Sequence, residues 1–136
     1  MSPILLDTHA AVWAATGTLS ARAARATDAA SENGQLMLSP ISAWEIGTLV
    51  EKGRLRLAVT AEQFVRAMFD NRSVVVATLT PAIAVSATTL RGLSPSDPAD
   101  RILIATASAY GAHLMTRDAA IHKYARATRY IRALSC

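Results

Sequence analysis

The stretch ILLDTHA, residues 4–10, predicts the first strand, the turn after it and the start of the first helix. Residues 4–6 form a short apolar run, and Asp7 follows it with no polar spacer. Because Asp is a favoured N-cap, Asp7 fits the start of a helix over residues 9–15. A short strand that leads directly into a helix is typical of an α/β fold.

The same alternation continues along the chain. Further strands are predicted at residues 36–38, 74–79, 112–115 and 129–131. Further helices are predicted at residues 20–33, 39–53, 60–70, 80–91, 98–110 and 119–127. This order predicts a mostly parallel sheet of four to five strands with helices on both faces. A chain of 136 residues is long enough for one domain, over residues 1–136, with a sizeable core.

The composition excludes several classes of protein. Hydrophobic residues make up 51% of the chain and charged residues 18%, which is typical of a globular domain and not of a disordered one. No apolar run approaches the roughly 18 residues of a membrane span, so we expect no membrane partner. Cys136 is the single cysteine, which excludes an intramolecular disulfide and suits a reducing cytoplasm.

The net charge is +4, the sequence pI is near 9.8, and the basic residues are mostly arginine. From residue 117 onward the only acid is Asp118, against five basic residues: Arg117, Lys123, Arg126, Arg129 and Arg132. A basic segment beside an acidic pocket can hold phosphates. A solvated basic face without a partner explains the same charges equally well.

Four carboxylates stand near predicted strand ends or helix starts: Asp7, Glu45, Asp100 and Asp118. In an α/β fold such positions converge on one crevice. Clustered acids repel each other unless protons or a hard cation intervene, so the pattern predicts a divalent-metal site. Each acid also has a local explanation. Asp7 and Asp118 can cap helices, Glu45 can form a capping box with Ser42, and Asp100 can be a first-turn charge or an ion-pair partner.

Three neighbours of these acids are further candidates. Asp97 fits the cap of the helix that carries Asp100, or a more distant partner of the metal. The Thr116 hydroxyl can hold a water molecule or simply finish a strand. His9, close to Asp7, can orient that carboxylate or contact a phosphate.

Other kinds of site are not indicated. The histidines His9, His113 and His122 show no zinc-ligand spacing, and His113 and His122 are expected to be packed or solvated. The chain has no GxGxxG, GxxxxGK[ST] or GxSxG motif. Aromatic residues make up only 5%, which disfavours a stacking platform for single strands.

The four acidic motifs, in this order, resemble those of the PIN-domain ribonucleases and, within them, the VapC-type toxins of type II toxin–antitoxin pairs. The similar segments are LLDTHA with Asp7, the S-x-x-E helix with Glu45, DPADRILIATA with Asp100 and LMTRD with Asp118. The resemblance runs from residue 4 to residue 131. It includes the DPxDR form that places Asp97, but two alanines follow Asp118 where some members have another acid or Asn.

The resemblance implies a three-layer α/β/α fold, bound Mg²⁺ or Mn²⁺, and endonucleolytic cleavage of RNA. Asp7, Asp100 and Asp118 would serve the metal directly or through water. Glu45 would share the metal or help to deprotonate the attacking water, and Thr116 would position that water.

The resemblance also implies protein partners: a second copy of the chain and an antitoxin whose tail lies across a groove and blocks the acidic site. Apolar side chains that could line such a groove, or simply pack in the core, are Trp13, Trp44, Leu49, Leu55 and Leu57.

Two other functions compete with the nuclease. A phospho-acceptor domain of the receiver type is also α/β, but it needs paired acids after the first strand and a Lys after a late strand. Thr8 and His9 follow Asp7, and neither Lys52 nor Lys123 follows a convincing strand. A non-catalytic relative that binds RNA or an antitoxin and keeps the acids for structure is the third possibility.

Overall fold

The computed structural model describes residues 2–90, 92 and 94–136. The strands in these residues are β1 (Ile4–Leu6), β2 (Leu36–Leu38), β3 (Val75–Val76), β4 (His113–Met115) and β5 (Arg132–Leu134). They form one sheet in the order β3-β2-β1-β4-β5, and every pairing between neighbours is parallel. The winding reverses between β1 and β4, and this is the point at which open parallel sheets bind ligands.

The α-helices of the described residues are α1 (Thr8–Thr16), α2 (Ala21–Glu32), α3 (Pro40–Glu51), α4 (Ala61–Phe69), α5 (Pro81–Ser86), α6 (Pro98–Ala109) and α7 (Ala119–Thr128). Each begins after an Asp, Ser or Thr whose side chain accepts a backbone N–H of the first turn. Those caps satisfy donors that a helix leaves unpaired, which is why the local sequence predicts the helix starts well.

The core lies on both faces of the sheet. Leu5 and Leu114 pack on one face with Leu103 of α6 and Ile121 of α7. Leu6 packs on the opposite face with residues of α1, α2 and β2. Because successive strand residues point to opposite faces, apolar strands of this kind need helices on both sides. The three-layer α/β/α prediction is confirmed.

Nowhere in the described residues is a helix both long enough and apolar enough to cross a membrane.

Two predicted strands are wrong in extent or position. The run 74–79 contributes only Val75–Val76, because β3 is an edge strand that pairs with β2 alone, and both valines are exposed. The predicted strand 129–131 does not form. Helix α7 continues to Thr128, Arg129 takes a left-handed conformation, and the strand begins at Arg132.

The helix predicted over residues 80–91 is shorter than expected. It ends at Ser86, a 3-10 helix covers Ala87–Thr89, and Leu90 is extended. The predicted end at Arg91 lies outside the described residues.

Candidate active site

All four predicted acids line one cavity of about 420 Å³ at the carboxyl edge of the sheet. Asp7 directly follows β1, and Asp118 follows β4 after two residues. Because β1 and β4 are neighbours, these two acids stand on either side of the reversal in winding. Besides the four acids, the lining residues are Thr8, His9, Trp13, Asp97, Leu103 and Arg117.

Asp7 is both a helix cap and a member of this cavity. Its side chain is 8% exposed, and Oδ1 accepts the backbone N–H of Ala10 at 2.8 Å. Burial raises the pKa of Asp7, while hydrogen bonds from Thr116 and Ala10 and the nearby His9 act in the opposite direction. The charge of Asp118 raises the pKa further. The predicted cap is therefore confirmed, and it does not remove Asp7 from the acid cluster.

Thr116 connects two of the acids. Its side chain is fully buried, and its hydroxyl accepts the backbone N–H of Asp118 at 3.0 Å. The same hydroxyl is hydrogen-bonded to the carboxyl group of Asp7. Both contacts are with protein atoms, so Thr116 is placed to orient the two acids.

Glu45 does not form the predicted capping box. Ser39 caps α3, since its Oγ accepts the backbone N–H of Ile41 at 3.2 Å. Ser42 and Glu45 lie one turn apart within the helix, and both reach Thr8. The Thr8 hydroxyl donates to the Glu45 carboxylate and lies 3.1 Å from Ser42 Oγ.

The Glu45 carboxyl is half-buried among other acids. Burial raises its pKa, the bond from Thr8 lowers it, and the charges of Asp97 and Asp7 raise it again. Thr8 is a site residue that the sequence interpretation missed. Its position next to Asp7 was the available signal, but its partner lies 37 residues away along the chain.

Asp97 caps α6, as predicted, because its Oδ1 accepts the backbone N–H of Asp100 at 3.0 Å. Asp100 lies in the first turn and does not pair with the adjacent Arg101. The Arg101 guanidinium donates instead to the backbone oxygens of Ala87 at 2.9 Å and Thr88 at 3.1 Å. The Asp100 carboxyl is thus free to face the cavity.

The cavity raises the pKa of Asp100 to about 7. Burial is the largest cause, and the four neighbouring carboxylates add to it: Asp97, Asp118, Glu45 and Asp7. This is the signature of a cluster of like charges that favours binding of a proton or a cation.

Asp118 caps α7 and remains exposed at the cavity. Its Oδ1 accepts the backbone N–H groups of Ala120 at 2.8 Å and Ile121 at 3.1 Å. The second carboxylate oxygen forms no hydrogen bond among the described residues.

Arg117 forms a basic rim of the cavity. The sequence places it in the basic segment from residue 117 onward, but not among the candidate site residues. Its guanidinium carbon lies 3.8 Å from the ring centroid of Trp13, and Nη2 donates to the backbone oxygen of Cys136 at 2.7 Å. Trp13 in turn contacts the ring of His9, with centroids 5.6 Å apart. Within the described residues no Asp or Glu side chain forms an ion pair with Arg117.

No three His, Cys, Asp or Glu side chains in the described ranges form a ready-made metal cage. Asp7, Asp97 and Asp118 each direct one oxygen to a helix start and keep the other. An oxygen-rich cavity of this kind suits a hard cation held by one or two carboxylates and by water, which is the usual mode of Mg²⁺.

Comparisons with known proteins agree with this geometry. The family model that matches is "PIN domain", over residues 4–127. Ribonuclease VapC22 of Mycobacterium tuberculosis (strain ATCC 25618 / H37Rv) is 35% identical over 120 residues, which cover 87% of this chain and 88% of that protein.

Solved structures show the same fold. VapBC2 from Rickettsia felis, bound to a DNA fragment from their promoter, matches with a TM-score of 0.70 at 15% identity, over 98% of both chains. DNA-bound VapBC from Salmonella typhimurium matches with a TM-score of 0.69 at 15% identity, over 99% of this chain and 98% of that one.

Proposed function

This chain belongs to the PIN domain family, and we propose that it is an endoribonuclease that depends on Mg²⁺ or Mn²⁺ and acts as the toxin of a toxin–antitoxin pair. The observation that carries the proposal is the convergence of Asp7, Glu45, Asp100 and Asp118 on one cavity. The 35% identical relative named as a ribonuclease supports the reaction class.

The donor set of the cavity fits a divalent ion. Carboxylate oxygens are the ligands that hard cations prefer. Burial and, after it, the neighbouring carboxylates raise the pKa of Asp100, and a cation would neutralise the charge of those carboxylates. Asp7, Asp100 and Asp118 would hold the ion directly or through water. When bound, the ion supplies charge stabilisation to the phosphate and activation of water.

Glu45 fits the role of general base. A carboxyl group whose pKa is raised takes a proton more effectively near neutral pH than an ordinary carboxylate does. The Thr8 hydroxyl holds Glu45 in place from the neighbouring helix. Arg117 lies against Trp13 and lines the cavity, so it is placed to contact a phosphate at the rim.

The first test is Asp7→Asn. We expect a loss of metal-dependent RNA cleavage of about 100-fold or more, because the substitution removes a charge from the ion site while its Oδ1 can still cap α1. Cleavage of total RNA with Mg²⁺ or Mn²⁺, with a chelator control, measures the effect. Asp28→Asn on the exposed face of α2 is the matched control and should cleave normally. Undiminished cleavage by the Asp7 variant would contradict the assignment of Asp7 to the ion site.

The second test concerns Thr116 as a positioning residue. Thr116→Val keeps the shape but removes the hydroxyl that connects Asp7 and Asp118, so we expect cleavage to fall by roughly 10- to 100-fold. Thr116→Ser restores the hydroxyl and should recover most of the activity. A Ser variant as inactive as the Val variant would contradict this role.

The partner part of the proposal is an antitoxin that covers the cavity, together with a second copy of the chain. Trp44 is 64% exposed and directly precedes Glu45, so it is not a core residue and is available to a partner. Co-expression with the product of an adjacent small reading frame should suppress cleavage and yield a stable complex. If no product of a neighbouring gene binds the chain, the antitoxin part of the proposal is wrong. Sedimentation of the isolated chain shows whether it forms a dimer.

A receiver-type function has little support in the fold. Lys52 follows helix α3, Lys123 lies within α7, and no lysine among the described residues follows a strand. The non-catalytic alternative is separated from the nuclease by the same cleavage assay.

A further inference from the structure

A second concave surface, of about 620 Å³, lies between α7 and the edge strand β5. We call it the basic concavity. No Asp or Glu is among its lining residues, which are His113, His122, Ala125, Arg126, Arg129, Ile131, Arg132, Ala133 and Leu134. Three basic side chains of the last third of the chain, Arg126, Arg129 and Arg132, are therefore gathered on one surface.

The arginines of the basic concavity are not neutralised. Arg126, Arg129 and Arg132 are exposed, and none of them forms an ion pair within the described residues. Each guanidinium keeps its N–H donors in a fork that matches phosphate oxygens. Three such groups around one concave surface create a local positive potential that attracts an extended anion.

Helix α7 connects the basic concavity to the acid cavity. Asp118 caps α7 in the acid cavity, and His122 and Arg126 follow at intervals of four residues on the same side of the helix. At about 1.5 Å per residue, the eleven steps from Asp118 to Arg129 span roughly 16 Å. His122 Nε2 also lies 2.9 Å from the backbone oxygen of Thr116, which holds the two surfaces in one rigid frame.

The backbone conformation of Arg129 allows a substitution that removes its charge without a loss of stability. Arg129 ends α7 with φ at 56°, and it is the only described non-glycine residue with positive φ. Glycine takes this conformation without the steric penalty of a side chain. Replacement of Arg129 by Gly therefore removes a charge and relieves the steric penalty of a side chain at positive φ.

We propose that the basic concavity binds the phosphodiester backbone of an RNA strand that continues from the cleavage position in the acid cavity. This inference rests on the proposed ribonuclease function, and it names the surface that holds the substrate beyond the reacting bond. Binding is driven by counterion release and is independent of base sequence, because guanidinium groups contact phosphates. RNA is favoured over an acidic protein segment because the same helix leads directly to the acid site.

The test measures binding of a fluorescein-labelled single-stranded RNA of mixed sequence by anisotropy, in EDTA, from about 50 to about 300 mM salt. Three arginines are changed together: R126Q, R129Q and R132Q. A matched control removes three exposed arginines elsewhere and has the same net charge: R22Q, R25Q and R72Q. We expect the first variant to bind at least about 10-fold more weakly. Its slope of log K against log salt should fall by about 2, at about 0.7 per lost phosphate contact.

The single variant R129G gives a second readout. Its thermal midpoint should equal or exceed that of the unaltered chain, while the salt slope falls by about 0.7. Unchanged affinity and slope in the triple variant would overturn the proposal, and so would an equal loss in the matched control. The proposed nuclease activity is tested separately. If the chain binds RNA through this surface but does not cleave it with Mg²⁺ or Mn²⁺, the binding proposal holds and the proposed nuclease activity is wrong.

Discussion

At the scale of single residues, the Asp100 carboxyl is where the mutual repulsion of the acids is most concentrated. It lies in the first turn of α6, half-buried, without an ion pair and with the other carboxylates of the cavity around it. The helix start favours a negative charge there, but burial and the neighbouring acids act more strongly in the opposite direction. The result is a group that binds a proton up to about pH 7 when no cation is present.

This raised pKa predicts that the metal-free protein loses stability as the pH increases. Between about pH 4 and about pH 7 the native state keeps a proton on Asp100 that the unfolded chain has released, so the free energy of unfolding falls across that interval. Asp100→Asn cannot release this proton, and the fall should become smaller. Thermal midpoints of both proteins in EDTA at about pH 5 and about pH 8 measure this fall in stability. The same pH dependence in both proteins would contradict the prediction.

At the scale of elements, the helix caps place the site residues. Ser39 starts α3 and thereby sets the position of Ser42, one turn further on, and of Glu45, in the turn after that. Thr60 starts α4 with a complete capping box, since its Oγ1 accepts from the Gln63 backbone and its own N–H donates to the Gln63 side chain. The two caps are chemically alike, but only α3 carries an acid of the cavity.

Removal of either cap should lower stability, but only removal of the α3 cap should also lower RNA cleavage. Thr60→Ala should lower the free energy of unfolding by about 1 kcal/mol and leave RNA cleavage unchanged. Ser39→Ala should cost about the same or more, because Ser39 is fully buried, and should also reduce cleavage through displacement of Glu45. Chemical denaturation and a cleavage assay on the same samples measure both effects. Equal activity losses in the two variants would show that the cap of α3 has no special part in the site.

Elements at the edges of the sheet show where sequence patterns mislead. The β-branched run at residues 74–79 has the composition of a strong strand, yet it pairs over Val75–Val76 alone. Strand propensity describes the fit of a side chain to a neighbouring strand and a covered face, and an edge strand has few of either. The strand predicted over residues 129–131 is wrong for a different reason: Arg129 takes the left-handed conformation as the cap of α7, and β5 begins only at Arg132.

At the scale of the whole molecule, the strand order brings the site together. Parallel pairing puts the carboxyl ends of β1 and β4 at one edge, and α3 and α6 pack against each other over that edge. Acids that lie far apart along the chain thereby meet in one cavity. Their repulsion opposes folding, and any ion bound only by the native state should offset it.

We therefore expect a divalent ion to stabilise the folded protein. At an ion concentration about 100 times the dissociation constant, the free energy of unfolding should increase by about 2.7 kcal/mol. Thermal midpoints with MgCl₂ or MnCl₂, against NaCl of matched ionic strength, measure it. The gain should be largest at high pH, where the proton no longer competes, and should be lost in Asp7→Asn. A midpoint that does not respond to either ion would contradict an ion site in the cavity.

The sequence by itself determined the features that depend on neighbours within a few residues. The caps at Asp7, Asp97 and Asp118, the capping box at Thr60, and the alternation of short strands with helices all follow from local backbone chemistry. The order of the acidic motifs also pointed to the PIN family without any coordinates. Only the tertiary structure decided the bond from Thr8 to Glu45, the stacking of Arg117 on Trp13 and the gathering of the arginines beside β5. The first two contacts join segments tens of residues apart. The arginines are close together along the chain, but only the pairing of β4 with β5 places them around one concave surface with His113. Strand order and helix packing set this geometry, which no local pattern encodes.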